Sequence, residues 1–141
     1  MGIDVGTRRI GLAISDATRT LARPLMTIEI ASADDGVRRV SDEVTRLAGE
    51  EDSVSTIVVG LPVRLDGSPN DHTARVSAFI GALKQRTSIP IVTADERLSS
   101  VEAESRMAIG TKDWRERKKK LDAAAAAVIL QDYLDLSRGG A

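Results

Sequence analysis

Residues 2–15, GIDVGTRRIGLAIS, decide the fold. The apolar side chains of Ile3 and Val5 alternate with the carboxylate of Asp4, which is the period of a short strand. Gly6 can adopt a positive φ, and apolar alternation resumes at Ile10. The pattern predicts a β-hairpin that presents a single carboxylate at its start.

Downstream of the hairpin, alternation gives way to helical spacing and then to strand–helix units. A capping box at Ser99 predicts the start of one helix, and an alanine-rich run predicts the last helix of the chain. The expected elements are a third strand at 25–30, a helix from 34 to 49, a strand at 55–60, a helix at 71–85, a strand at 89–94, a helix from 99 to 109 and a last helix at 117–136.

This order, in outline β-β-β-α-β-α-β-α, predicts an antiparallel meander followed by strand–helix crossovers. Crossovers of this length join parallel strands with right-handed connections, so the sheet should be mixed, with helices on both faces. The sequence therefore predicts an α/β fold with a five-stranded sheet. A single domain is expected over residues 1–136, with a flexible tail at 137–141.

Composition limits the chemistry that the chain can support. The 141 residues contain no cysteine and one histidine, so metal ligands would have to be oxygen atoms, which suit magnesium, manganese or calcium. The net charge of −1 by itself indicates no nucleic-acid partner, although basic residues crowd between positions 112 and 120. No apolar run reaches the roughly 20 residues of a membrane span, which predicts a cytoplasmic protein with no membrane partner.

Three widely separated acidic positions could meet above the sheet. Asp4 lies on the first strand, the Asp95-Glu96 pair follows the last strand, and Asp122 is expected to open the final helix. Clustered carboxylates repel each other unless cations lie between them, and paired divalent ions are used for phosphodiester hydrolysis. Simpler interpretations exist: Asp4 could stabilise a turn, and Asp122 could be a first-turn acid favoured by the helix dipole.

Four sequence blocks in order carry a family resemblance: GIDVGTRRIGLAISD, VVGLPVRLDGSPN with the following TARV, DERLSSVEAE and KKLDAAAAAVILQDYL. They resemble the YqgF (RuvX) family of pre-16S rRNA nucleases, also called Holliday-junction-resolvase-like proteins. The resemblance covers nearly the whole chain and implies a ribonuclease H-like fold. Family members usually have a few residues before the first block, so a strand of residues 2–5 is short for one that carries a metal-bridging acid.

The resemblance also implies the site and its chemistry. Asp4 would bridge two Mg²⁺ or Mn²⁺ ions, while Glu96 and Asp122 would each hold one. The substrate would be structured RNA, namely pre-16S rRNA, with branched DNA as the alternative and a ribosomal particle as a further partner. Hydrolysis by in-line attack of water would leave a 5′-phosphate, and a resolvase would need to be a homodimer rather than a monomer.

Basic side chains near these acids are candidates for nucleic-acid binding. Charge runs are commonly only solvated surface, yet contacts to phosphate also require such residues. The candidates are Arg8, Arg9, Arg97, Lys118, Lys119 and Lys120.

Two hypotheses of other classes stay open from the sequence. The stretch GIDVGT also resembles the phosphate-binding hairpin of actin-like ATP-binding domains, although that class closes nucleotide between two such domains. A catalytically silent nucleic-acid-binding module would keep the fold without turnover. ATP binding would favour the first of these hypotheses, and the absence of divalent-ion binding would favour the second.

Overall fold

The computed structural model describes residues 1–48, 54–62, 70–95 and 114–139, which contain five strands and three helices. Their order confirms the predicted β-β-β-α-β-α-β-α arrangement. The helix predicted from Ser99 to Ile109 lies outside the described residues. The elements are β1 (Gly2–Val5), β2 (Arg9–Ser15), β3 (Ala22–Glu29), α1 (Ala33–Ala48), β4 (Ile57–Leu61), α2 (Asp71–Lys84), β5 (Ile91–Asp95) and α3 (Trp114–Gly139).

The sheet is mixed, with the strand order β3-β2-β1-β4-β5. Short connections make the pairs β1–β2 and β2–β3 antiparallel, whereas the pairs β1–β4 and β4–β5 are parallel across helical crossovers. The shortest strand, β1, is therefore the central one. It pairs through Asp4 with Gly11 on one side and through Gly2 with Val58 on the other.

One face of the sheet is covered by α1 and α2. Alternation sends Ile3, Val5 and Leu12 into this layer, where they meet the apolar stripes of both helices. Full burial of such branched side chains supplies about 1.5–3 kcal/mol each, so this layer is the main apolar core. Its helical members are Val37, Val40, Val44 and Leu47 from α1 and Val76, Phe79, Ile80 and Leu83 from α2.

Among the described helices, the one that covers the other face is α3. Ala13 of β2 and Val58 of β4 pack against Ala126, Ile129 and Leu130 of this helix. At Gly2 and Gly11 the strands have no side chain on this face, so the helix backbone approaches the sheet closely. A Cβ atom placed on Gly2 would lie only 2.7 Å from the carbonyl oxygen of Ala126.

The start of α2 is defined by a capping box that the sequence analysis missed. The Asn70 side chain accepts a 2.9 Å hydrogen bond from the Thr73 backbone N–H, and the Asn70 N–H donates to Thr73 Oγ1 at 2.9 Å. The Thr73 hydroxyl also donates to the carbonyl of Pro62. The cap thus joins the helix to the chain that leaves β4.

Helix α3 is longer than predicted, beginning at Trp114 rather than 117 and continuing to Gly139 rather than 136. Residues 137–139, expected to belong to a flexible tail, are helical. Asp122 is the ninth residue of this helix, so the expectation that it opens the helix is wrong. The helix dipole acts mainly within the first turn and does not explain an acid at this position. Within the described ranges, no helix combines the length and apolar character needed to cross a membrane.

Candidate active site

Asp4 lies on the central strand and on the face of the sheet that α3 covers. Its neighbours Ile3 and Val5 are buried in the core on the opposite face, so alternation directs the half-buried Asp4 side chain toward α3. The sequence prediction that β1 lies beside the 55–60 strand is confirmed by the pairing of Ile3 with Val59. The carboxylate is thus presented from the middle of the sheet.

Gly11 brings helix α3 to the same place. It is the cross-strand partner of Asp4, and directly paired Cα atoms lie about 4.5–5.5 Å apart. A Cβ atom on Gly11 would lie 2.0 Å from the backbone carbonyl oxygen of Asp122 and 2.9 Å from the nitrogen of Ala123. Only glycine permits this approach, and it places the Asp122 backbone over the strand position beside Asp4.

A basic side chain of the sheet forms an ion pair with Asp122. Arg9 Nε donates to Asp122 Oδ2 at 2.8 Å, which joins the first residue of β2 to α3. The side chains are 25% and 28% exposed, so the ion pair is partly shielded from solvent. From the sequence, Arg9 was predicted only to contact phosphate. The ion pair has no local signature, because its two residues are 113 positions apart.

Arg8 has a different environment from Arg9, although both were predicted to bind nucleic acid. The Gly6 N–H donates to the Arg9 carbonyl at 2.9 Å and closes the turn, which leaves Arg8 exposed at its end. An open depression of about 460 Å³ begins here. It is lined by Thr7, Arg8, Arg9, Glu29, Ile30 and Ala31.

Several predicted site residues lie outside the described part of the chain. Glu96 and Arg97 follow directly after β5, whose Ala94 packs in the apolar cluster beneath α3. Positions 118–120 belong to the helical turns just before Asp122. Lys118, Lys119 and Lys120 have no described side chains, so their predicted role in nucleic-acid binding stays a prediction.

The described donors fit a divalent ion. Asp4 and Asp122 supply carboxylate oxygens, the ligands that Mg²⁺ and Mn²⁺ prefer, on one face of the sheet. In the part of the chain that the structure covers, no three acidic, histidine or cysteine side chains form a metal-binding group. The predicted third acid, Glu96, lies outside that part.

A five-stranded mixed sheet in the order β3-β2-β1-β4-β5, with carboxylates on its central strand and facing helix, defines a protein of the ribonuclease H-like class. A solved structure of T. thermophilus RuvC in complex with a Holliday junction substrate has this fold. It superposes with a TM-score of 0.56 at 18% sequence identity and covers 99% of this chain and 94% of the RuvC chain. The predicted fold is confirmed.

The sequence comparisons identify the family within that class. A family model named RuvX, described as Holliday junction resolvase, matches residues 1–136. A protein of Roseiflexus sp. named "Putative pre-16S rRNA nuclease" is 40% identical over 98% of this chain and 94% of its own length. A protein of Desulforudis audaxviator with the same name is 34% identical over 99% of this chain and 96% of its own length. The chain belongs to the RuvX family.

Membership confirms the resemblance found in the four sequence blocks and makes the chain a nuclease, a hydrolase whose substrate is nucleic acid. It also favours the nuclease hypothesis over an actin-like ATP-binding domain. The stretch GIDVGT at residues 2–7 therefore belongs to the hairpin of a nuclease rather than to the phosphate-binding hairpin of an ATP-binding domain.

Proposed function

We propose that this protein is a metal-dependent endonuclease that matures the 5′ end of pre-16S rRNA. The observation that carries the proposal is that Gly11 is the cross-strand partner of Asp4 and also lies against the backbone of Asp122, so that both acids adjoin Gly11 on one face of the sheet. The relatives named as pre-16S rRNA nucleases, which match over nearly their whole length, support RNA as the substrate.

Asp4, Asp122 and Glu96 are the proposed ligands of Mg²⁺ or Mn²⁺. When bound, divalent ions stabilise the negative charge that develops on a phosphate during in-line displacement. The task of the chain itself is to hold carboxylates of like charge close together, and the rigid central strand and the long helix suit that task. The expected product carries a 5′-phosphate.

The basic residues around this site are proposed to bind the nucleic-acid backbone. Arg8 is exposed at the end of the hairpin and precedes Arg9 in the chain, and a guanidinium at an exposed position can contact phosphate. Arg97, Lys118, Lys119 and Lys120 are further candidates from their sequence positions. Aromatic residues make up only 2% of the chain, so recognition by base stacking on aromatic side chains is disfavoured.

Cleavage of four-way DNA junctions is the second candidate function. The description of the matching family as Holliday junction resolvase favours it. A junction is close to two-fold symmetric, so this function would require two copies of the chain with paired sites. The RNA substrate requires only one copy.

A single cleavage assay separates these functions. The protein is offered a pre-16S 5′-leader RNA and a four-way DNA junction side by side, with Mg²⁺, with Mn²⁺ or with a chelator. The test variant is Asp122→Asn. The matched control is Asp42→Asn, which neutralises an exposed acid of α1 on the opposite side of the molecule.

We expect metal-dependent cleavage of the RNA by the wild type and by Asp42→Asn, with loss of cleavage in Asp122→Asn. Cleavage of the junction alone would replace the RNA function by the resolvase function. Binding of either nucleic acid without cleavage by any variant or with any ion would favour the catalytically silent module instead.

A further inference from the structure

The Arg9 guanidinium lies against a proposed metal ligand rather than in open solvent. Its Nε donates to Asp122 Oδ2 at 2.8 Å, and both side chains are about three-quarters buried. We propose that Arg9 is a positioning residue, which orients the Asp122 carboxylate for metal binding. This inference rests on the proposed function, because it requires Asp122 to be a ligand.

The donor in this pair is anchored to the sheet. Arg9 begins β2 opposite Glu29 of β3, and its carbonyl accepts the 2.9 Å hydrogen bond from Gly6 that closes the hairpin. Asp122, in contrast, is carried by a helix that meets the sheet through the close contact at Gly11. The ion pair therefore restricts the rotation of the Asp122 side chain and fixes its orientation relative to β2, the strand in which Gly11 pairs with Asp4.

One carboxylate can accept a hydrogen bond from Arg9 and bind a metal ion at the same time. An ionised aspartate has two oxygens and about four acceptor sites, so a bond from Arg9 to Oδ2 leaves Oδ1 available as a ligand. Carboxylates that bind metals commonly accept such a second hydrogen bond, and loss of the partner typically weakens metal binding about 10–100-fold. Arg9 would thus act on the metal through Asp122 without contacting it.

Two other roles are less consistent with this geometry. A residue that binds phosphate should present its guanidinium to solvent, as exposed Arg8 does, whereas the Arg9 side chain is only 25% exposed. A purely stabilising ion pair is also a weak explanation, because partly exposed pairs contribute little to folding.

The test measures Mn²⁺ binding to the full chain, by calorimetry and by the electron paramagnetic resonance signal of free Mn²⁺. The variants are Arg9→Gln, Arg9→Lys, Asp122→Asn and the double variant Arg9→Gln/Asp122→Asn. Arg86→Gln is the matched control, because it removes the same charge from an exposed arginine just after α2, which covers the opposite face of the sheet. Thermal unfolding without metal checks that each variant folds.

We expect Arg9→Gln to weaken Mn²⁺ binding about 10–100-fold. Arg9→Lys should restore it only in part, because an ammonium group does not reproduce the planar Nε donor. Arg86→Gln should bind Mn²⁺ as the wild type does. The unfolding midpoint of metal-free Arg9→Gln should stay within about 3 °C of the wild type.

The double variant tests whether Arg9 acts through Asp122. If it does, Arg9→Gln should cause no further loss of binding in the Asp122→Asn background. Unchanged or tighter Mn²⁺ binding by Arg9→Gln would overturn the inference, and tighter binding would identify Arg9 as a charge that repels the ion. If Asp122→Asn loses Mn²⁺ binding and Arg9→Gln does not, the proposed metal site stands and the role of Arg9 is wrong. If the wild type binds no Mn²⁺, both the metal site and the role of Arg9 are wrong.

Discussion

The two faces of the sheet differ in the size of the side chains that cover them. Toward α1 and α2 the central strands send Ile3, Ile10 and Leu12, all with no exposed surface. Toward α3 the same strands present Gly2, Gly11 and Ala13. The face toward α1 and α2 therefore buries large apolar side chains, whereas on the face toward α3 the helix backbone lies close to the sheet.

Because of this difference, the face toward α1 and α2 is suited to stabilise the fold, and the face toward α3 is suited to carry the site. Large aliphatic side chains fill the space between the sheet and the helices α1 and α2. Beneath α3, the absence of side chains at Gly11 lets Asp122 come close to the strand position beside Asp4, and Arg9 supplies the opposite charge. We therefore expect substitutions on the first face to affect folding and substitutions on the second to affect catalysis. Four variants test that expectation.

The largest effect is expected for Asp4→Asn. Loss of a proposed metal-bridging carboxylate should remove several kcal/mol of transition-state stabilisation, and about 4 kcal/mol corresponds to roughly a thousandfold in rate. Single-turnover cleavage of the leader RNA measures this loss, and thermal unfolding should show little change. A variant that keeps a tenth of the wild-type rate would show that Asp4 is not a ligand.

Leu12→Ala should have the next largest effect, this time on folding. Leu12 is fully buried in the core beneath α1 and α2, and truncation of such a residue costs about 2–5 kcal/mol. Denaturant unfolding measures the loss. Below the unfolding transition, the variant should cleave RNA and bind Mn²⁺ as the wild type does. A strong loss of activity in the folded variant would mean that the two faces are not independent.

Gly11→Ala tests the adjacent residue on the other face. The new methyl group would lie 2.0 Å from the backbone carbonyl of Asp122, which is not a flexible side-chain tip, so the helix must move. Overpacking of this kind costs about 1–3 kcal/mol in stability. We also expect weaker Mn²⁺ binding, because Asp122 moves with the helix. Full binding by a destabilised variant would show that the metal site tolerates displacement of α3.

The smallest effect, and one of opposite sign, is expected for Gly81→Ala. Gly81 is an exposed residue of α2, and a Cβ atom there would meet nothing within 4 Å. Replacing a helical glycine with alanine should stabilise the protein by about 0.5–1 kcal/mol, with no change in cleavage. Denaturant unfolding detects the gain. A loss of stability would indicate that Gly81 has a structural role that its surroundings do not show.

Much of the fold could be predicted because it depends on local patterns. Alternation at Ile3, Asp4 and Val5 correctly assigned the faces of β1, and the helical period of Val37, Val40 and Val44 located α1. Boundaries were less accurate. Charged residues at helix ends carry little periodic signal, and α3 exceeded its predicted range at both ends.

The site was predicted only in part, for a different reason. Asp4 and Asp122 were predicted as site residues from the sequence blocks; in the structure Asp4 lies on the sheet face that α3 covers, and Asp122 lies on α3 where this helix contacts Gly11. Neither the pairing of Arg9 with Asp122 nor the contact at Gly11 has a local signature. The spacing of Ile10, Gly11 and Leu12 shows a strand that contains a glycine, but it does not show which backbone comes close to it.

The sequence by itself determined the order of the elements, the faces on which the residues of β1 lie and the family to which the chain belongs. These properties follow from the local periods of two and 3.6 residues and from short motifs that can be read without coordinates. Only the tertiary structure decided that Arg9 pairs with Asp122 and that Gly11 sets the height of α3 above the sheet. Both contacts join segments more than 100 residues apart, and their distances depend on how a whole helix packs against the sheet rather than on any neighbouring residue.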